Sequence, residues 1–117
     1  MQNDKENLIV KLTFDFALNI VKFTEELEAE RKFVFANQLL KSGTSIGANV
    51  REAQNAESKA DFIHKMKIAA KEADETDYFL RLCKESGSYP FKEELLEQVE
   101  TIMKILSKII SSSKNGN

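Results

Sequence analysis

Apolar residues recur along this chain at steps of three and four, the spacing that gathers them on one face of an α-helix, and four separate segments carry the pattern. The first runs from about residue 5 to 30. Advancing about 100° per residue places Leu8, Ile9, Leu12, Phe16, Ile20, Phe23 and Leu27 on one broad face. A second apolar stripe, Val10, Phe14, Leu18 and Val21, falls nearly opposite. Thr13 and Thr24 divide the two stripes on one side, and Lys11, Asp15 and Lys22 on the other. An outer helix of a solitary bundle needs only one buried stripe. The second stripe predicts a further partner, most simply another copy of the chain, and marks Val10, Phe14, Leu18 and Val21 as a candidate subunit interface.

The second helix is expected over residues 31–54. Phe35, Leu39, Gly43, Ile46, Val50 and Ala53 follow one another at helical steps, with Ala36, Leu40 and Gly47 alongside. This register passes through the uncharged stretch SGTSIGAN, residues 42–49, without a slip, so the stretch reads as helix. Each glycine costs about 1 kcal/mol against alanine in a helix interior. Gly43 and Gly47 lie one above the other on the buried side, where a missing side chain lets a neighbouring backbone come close. Close helix packing is the predicted compensation.

The third helix is expected over 58–86. Ser58 and Asp61 open it with a variant of the capping box. Phe62, Met66, Ala69, Ala73, Thr76 and Leu80 form its main face. Gly87 suits a left-handed stop, and Pro90 suits the first turn of a fourth helix over 91–112. There Leu95, Leu96, Val99, Ile102, Met103, Leu106, Ile109 and Ile110 point inward. The acids come early and Lys104 and Lys108 late, as the helix dipole prefers, and the tail SSSKNGN is expected to fray. Four such helices with short connections predict a single all-α domain over 1–117, an antiparallel up-down-up-down four-helix bundle.

Composition excludes more than it assigns. A length of 117 residues allows one real core. A net charge of −2 gives no bulk attraction to nucleic acid or an anionic membrane. No run approaches the roughly 20 apolar residues that span a bilayer. The opening MQNDKENL lacks the basic and apolar segments of a secretory leader, and the lone Cys83 cannot form an intrachain disulfide. The expected location is cytoplasmic. With one histidine, a ferritin-like di-metal centre cannot be assembled in one protomer, Asp61 to His64 being the single near match. Zinc fares no better. His64 and Cys83 lie on one helix, about 28 Å apart at 1.5 Å per residue, too far for a nucleophilic pair. Gly43–Gly47 has the wrong spacing for a phosphate loop and no lysine after it. We expect neither metal, cofactor nor enzymatic activity.

Polar residues also occur where apolar ones are expected. Asn19 falls within the main stripe of the first helix. Gln38, Ser42, Ser45, Asn49 and Glu52 form a line beside the apolar face of the second, and Glu72 and Glu75 flank Ile68 and Phe79 on the third. Buried polar groups must find partners. The set Asn19, Ser42, Ser45, Asn49, Glu52, Glu72 and Glu75 therefore reads either as a pocket or as an internal hydrogen-bond network, the second being preferred. On the solvent side of the third helix, His64, Lys67, Lys71 and Tyr78 share one strip. Basic groups beside an aromatic ring suit phosphate and base contacts, so RNA or DNA is a candidate partner, although Asp74 and Glu75 lie close by.

The segment Ser45-Ile-Gly-Ala-Asn49-Val-Arg-Glu52 resembles the S-[IV]-x-x-N-[IV]-x-E pattern of the 23S rRNA-intervening sequence proteins, also called four helix bundle proteins. The resemblance continues through Ser58, Phe62, Ile68 to Glu72 and Glu75 to Leu80, and covers about residues 8 to 110. It departs at Ala53, where the family often carries glycine. It implies an antiparallel four-helix bundle assembled as a ring, of five subunits, without catalytic residues and with an unassigned molecular function. A related branch, the accessory proteins of diversity-generating retroelements, forms strongly basic rings that bind nucleic acid and a reverse transcriptase. The charge of −2 sets this chain apart from them.

Overall fold

The computed structural model describes residues 4–115, with side chains from Leu8 onward. Four helices make up the fold: α1 (Asp4–Ala29), α2 (Phe33–Ala53), α3 (Lys59–Ser86) and α4 (Glu93–Lys114). Each packs on its neighbour in sequence and α4 returns to α1, closing an antiparallel bundle of 46 × 20 × 20 Å. Among the described residues there is no strand, and no helix is long and apolar enough to cross a membrane.

The core is the set of inward stripes. Ile9, Phe16, Ile20, Phe23 and Leu27 of α1 are buried against Leu39, Ile46 and Val50 of α2, Met66, Ala69, Ala73 and Leu80 of α3, and Val99, Ile102 and Leu106 of α4. Leu8 is an exception. Expected inside, it is exposed, because it sits one step round the helix from Ile9, which takes the inward position. Phe35, Phe62, Met103 and Ile110 are half-buried at the edge of the core.

The helix ends follow local chemistry. The Ser58 hydroxyl accepts the Asp61 backbone N–H at 3.0 Å. The Asp61 carboxylate accepts the Glu57 N–H at 3.3 Å, and that bond holds its pKa below the ordinary carboxylate value. Gly87, at φ 74, ends α3 in the left-handed conformation. Two boundaries differ from expectation. Arg31 does not open α2. It adopts φ 64 and terminates α1 instead, with the Lys32 N–H bonded to the Leu27 carbonyl and the Arg31 N–H to the Glu28 carbonyl, both at 2.8 Å. This is a Schellman stop with arginine in the place glycine usually takes. Pro90 does not lie in the first turn of α4, which begins three residues later at Glu93. The connection stays non-helical while Tyr89 and Phe91 pack across the end of the core. At the other end, α4 continues through Ser111–Lys114, where fraying was expected; Gly116 and Asn117 lie outside the described residues.

Candidate interaction surfaces

The two glycines of α2 face α1 and make a tight seam there. A Cβ added at Gly43 would stand 2.8 Å from Ile20 Cγ2, and one added at Gly47 would stand 3.2 Å from the Thr13 carbonyl oxygen. Thr13 itself leaves no polar group stranded, since its hydroxyl donates to the Ile9 carbonyl at 2.8 Å. At Gly47 the backbone of α1 lies where a side chain on α2 would otherwise be, and at Gly43 the Ile20 side chain fills that place. The seam between α1 and α4 is looser. Asn19 bridges it by donating to Gln98 Oε1 at 3.2 Å, above a groove of about 440 Å³ floored by Leu12, Phe16 and Ile102.

The outer stripe of α1 has no cover within the protomer. Phe14 is 57% exposed, Leu18 48% and Val21 40%, and only Val10 is half-buried. The close approach at Gly47 opens a shallow groove of about 690 Å³ beside Phe14, with Val10 and Ala17 on one wall and Thr44, Gly47 and Ala48 on the other. Leu40 of α2 is exposed as well. A different exposed apolar group stands where α2 begins and α3 ends: Val34, Tyr78 and Leu82. Its Tyr78 meets Phe79 at 5.6 Å, and Phe79 belongs to an aromatic cluster in which Phe35 meets Phe79 edge-on at 5.5 Å and Tyr89 at 4.8 Å. Tyr78 also belongs to the basic strip of the third helix, whereas Val34 and Leu82 carry no periodic signal that marks them in the sequence.

The seven polar residues do not form one network. Ser42 is fully buried, and its hydroxyl lies 2.9 Å from that of Thr76, which also reaches the Glu72 carbonyl at 2.8 Å. Thr76, on the core face of α3, is the partner that satisfies Ser42. Ser45 donates to the Lys41 carbonyl at 2.6 Å and Asn49 to the Ser45 carbonyl at 2.8 Å, so each satisfies itself on its own helix. Asn19 belongs to the other side of the bundle. Glu52 and Glu75 are exposed and Glu72 is half-buried. The geometry divides the set into one buried hydroxyl pair between α2 and α3 and a polar outer face beside it.

His64, Lys67, Lys71 and Tyr78 are all exposed on α3. Lys114 of α4 lies against Lys67, and its ammonium group pulls the Lys67 pKa below the ordinary lysine value. Cations at the other end of α3 are matched: Arg81 binds Asp77 at 3.0 Å and Glu100 at 2.7 Å, and Lys84 binds Glu93 at 3.2 Å. Cys83 is buried, and desolvation pushes its thiol up to about 11, which makes it an inert core residue. No group of three or more His, Cys, Asp or Glu side chains among the described residues could hold a metal ion.

Comparison with known proteins bears on the whole chain. No curated protein matches it. A crystal structure from Bacteroides thetaiotaomicron, described as a protein of unknown function from the S23 ribosomal protein family, superimposes with a TM-score of 0.85 at 43% identity, covering 92% of this chain and 98% of that one. The model of the 23S rRNA-intervening sequence protein family matches residues 5–110. With the four-helix fold on which that match lies, the chain belongs to the 23S rRNA-intervening sequence protein family.

Proposed function

We propose that the protein is a non-enzymatic, self-assembling interaction scaffold of the cytoplasm, built from copies that join through the outer stripe of α1. The observation that carries this reading is the exposure of Phe14, Leu18 and Val21 on a helix whose opposite face is already fully packed. Contiguous exposed apolar surface on a protomer is a mark of an interface. Two unlike apolar groups are exposed, one on the α1–α2 side and one around Val34, Tyr78 and Leu82. The economical pairing covers the first group of one copy with the second group of the next. Such a contact is heterologous and closes as a ring when its rotation allows, and five is the subunit number the family resemblance implies. Mixing tests it. Phe14→Glu removes one half of the contact and Leu82→Glu the other, so each variant alone sediments as a monomer and the mixture gives a one-to-one pair that grows no further. A Leu82→Glu chain that assembles like the unmodified protein refutes the heterologous contact.

A second reading has its own observation. Lys67 and Lys114 are near enough for the second to lower the pKa of the first, and neither takes part in an ion pair among the described residues. An anion relieves that repulsion, and the family's description names 23S rRNA. On this reading His64, Lys67, Lys71 and Tyr78 contact RNA or DNA, with repetition round a ring multiplying weak contacts. Binding of a structured rRNA fragment that weakens steeply with salt, and is lost in a Lys67→Glu/Lys71→Glu variant, supports it. Absence of binding at low ionic strength removes it.

A further inference from the structure

The outward stripe of α4 reads Glu94, Glu97, Thr101, Lys104, Lys108. Its charges differ in one respect from the acids on the edge of the helix that faces α3. The acids on the edge facing α3 are matched within the protomer, Glu93 by Lys84 at 3.2 Å and Glu100 by Arg81 at 2.7 Å. The four charges of the outward stripe have no ion-pair partner among the described residues. Their spacing also denies them partners on their own helix. Gln98 and Thr101 stand four residues after Glu94 and Glu97, and Glu100, four before Lys104, is held by Arg81. The helix dipole favours acids early and bases late, but it acts on every face and does not explain why Glu93 and Glu100 are matched within the protomer while Glu94 and Glu97 are not.

The stripe is close to symmetric about Thr101. The carboxylates stand seven and four residues before it and the ammonium groups three and seven after it. Turning the helix end for end therefore lays acids on bases: Glu94 meets Lys108, Glu97 meets Lys104, and Thr101 meets Thr101 at the axis. A partner of one sign would be attracted by half of the stripe and repelled by the other half. An antiparallel second copy is complementary along its whole length. Shallow depressions lie on both sides of Thr101. One, of about 440 Å³, is bordered by Glu94 and Glu97, and the other, of about 540 Å³, by Met103, Lys104, Ser107 and Lys108. Each has room for the longer side chains of a facing helix. Thr101 is small enough to let two helices approach to the usual 8–10 Å.

From this self-complementary stripe we infer that α4 is a two-fold docking surface for a second copy of the chain, distinct from the α1 interface. The contact is isologous, it pairs copies or whole assemblies face to face, and it is electrostatic. Single exposed ion pairs contribute little, so the association of two lone chains is weak. When the α1 contact has already gathered several chains, the α4 contacts act together and pairing becomes tight; the strength, though not the existence, of the contact rests on the self-assembly proposed above.

Light scattering across a salt series tests it. The full chain loses half of its mass between about 20 mM and about 500 mM salt, as screening over a shrinking Debye length requires, and the mass at high salt reports the α1 assembly alone. Two charge-uniform variants, Glu94→Lys/Glu97→Lys and Lys104→Glu/Lys108→Glu, each stay at the high-salt mass in low salt. Mixing them restores the doubled species, and the fourfold reversal carrying all these substitutions regains it alone. A mass that does not change with salt, or charge-uniform variants that double as the unmodified chain does, overturns the inference. A monomer at high salt that still doubles at low salt counts against the α1 contact and in favour of this one.

Discussion

The two apolar stripes of α1 are made of the same kinds of residue and meet opposite fates. Ile9, Phe16, Ile20, Phe23 and Leu27 are fully enclosed by the other three helices, whereas Phe14, Leu18 and Val21, one short turn away round the same helix, face solvent. Helix propensity and hydrophobicity do not separate them. What separates them is supply: α2 and α4 pack on one side of α1 and close the core with α3, and nothing in the protomer is left for the other side. The energetic roles divide accordingly. Inner residues hold the fold, at about 25 cal/mol for each Å² of apolar surface removed from water. Outer residues contribute that term only when a partner arrives.

Substitutions at matched positions sharpen the contrast. Phe16→Ala empties a filled site and lowers protomer stability by about 3–5 kcal/mol, a large share of the total for a domain of this size. Phe14→Ala shifts protomer stability by no more than about 0.5 kcal/mol and lowers the assembly mass. Urea titrations in parallel with sedimentation separate the two effects, and a Phe14→Ala chain that loses several kcal/mol as a monomer contradicts the division.

Gly43→Ala attacks the seam between the stripes. The new methyl meets Ile20 Cγ2 at 2.8 Å and Cγ1 at 2.9 Å, and a β-branched side chain in a helix has little rotamer freedom with which to withdraw. Overpacking of this kind costs about 1–3 kcal/mol, offset in part by a propensity gain of about 1 kcal/mol, for a net loss of about 1 kcal/mol. Ile20→Ala removes both clashing carbons. The double variant is therefore less damaged than the sum of the singles by about 1 kcal/mol, and strict additivity in that cycle shows that the contact is not tight.

The smallest effect has the opposite sign. Arg31→Gly relieves a left-handed non-glycine residue at the end of α1, and thermal unfolding reports a gain of about 0.5–1 kcal/mol with no change in assembly mass, since neither stripe is touched. A fall in mass with that substitution ties assembly to the α1–α2 turn and blurs the distinction drawn above.

Much of this was legible beforehand because it depends on period alone. Both stripes of α1, the passage of α2 through Gly43 and Gly47, and the inward face of α4 follow from steps of three and four. The Ser58 cap and the Gly87 stop follow from side-chain chemistry at fixed offsets. Arg31 was not legible, since an arginine in a Schellman stop carries no compositional signal and the apolar period runs on past it. Nor was the pairing of Ser42 with Thr76, or the nearness of Lys114 to Lys67. Each joins residues on different helices, and only the relative height of packed helices decides which polar groups meet. Leu8 was misplaced because a broad stripe has edges, and the edge residue is covered only if a neighbouring helix extends far enough.

The mass of the unmodified chain in solution at micromolar concentration and high salt, set beside that of Phe14→Glu, tests the central claim most directly. Each chain weighs 13.3 kDa. A multiple of that mass for the unmodified protein, falling to a single chain of unchanged helical content in Phe14→Glu, is the predicted result. A mass of 13.3 kDa for both contradicts it and leaves the outer stripe of α1 without a function.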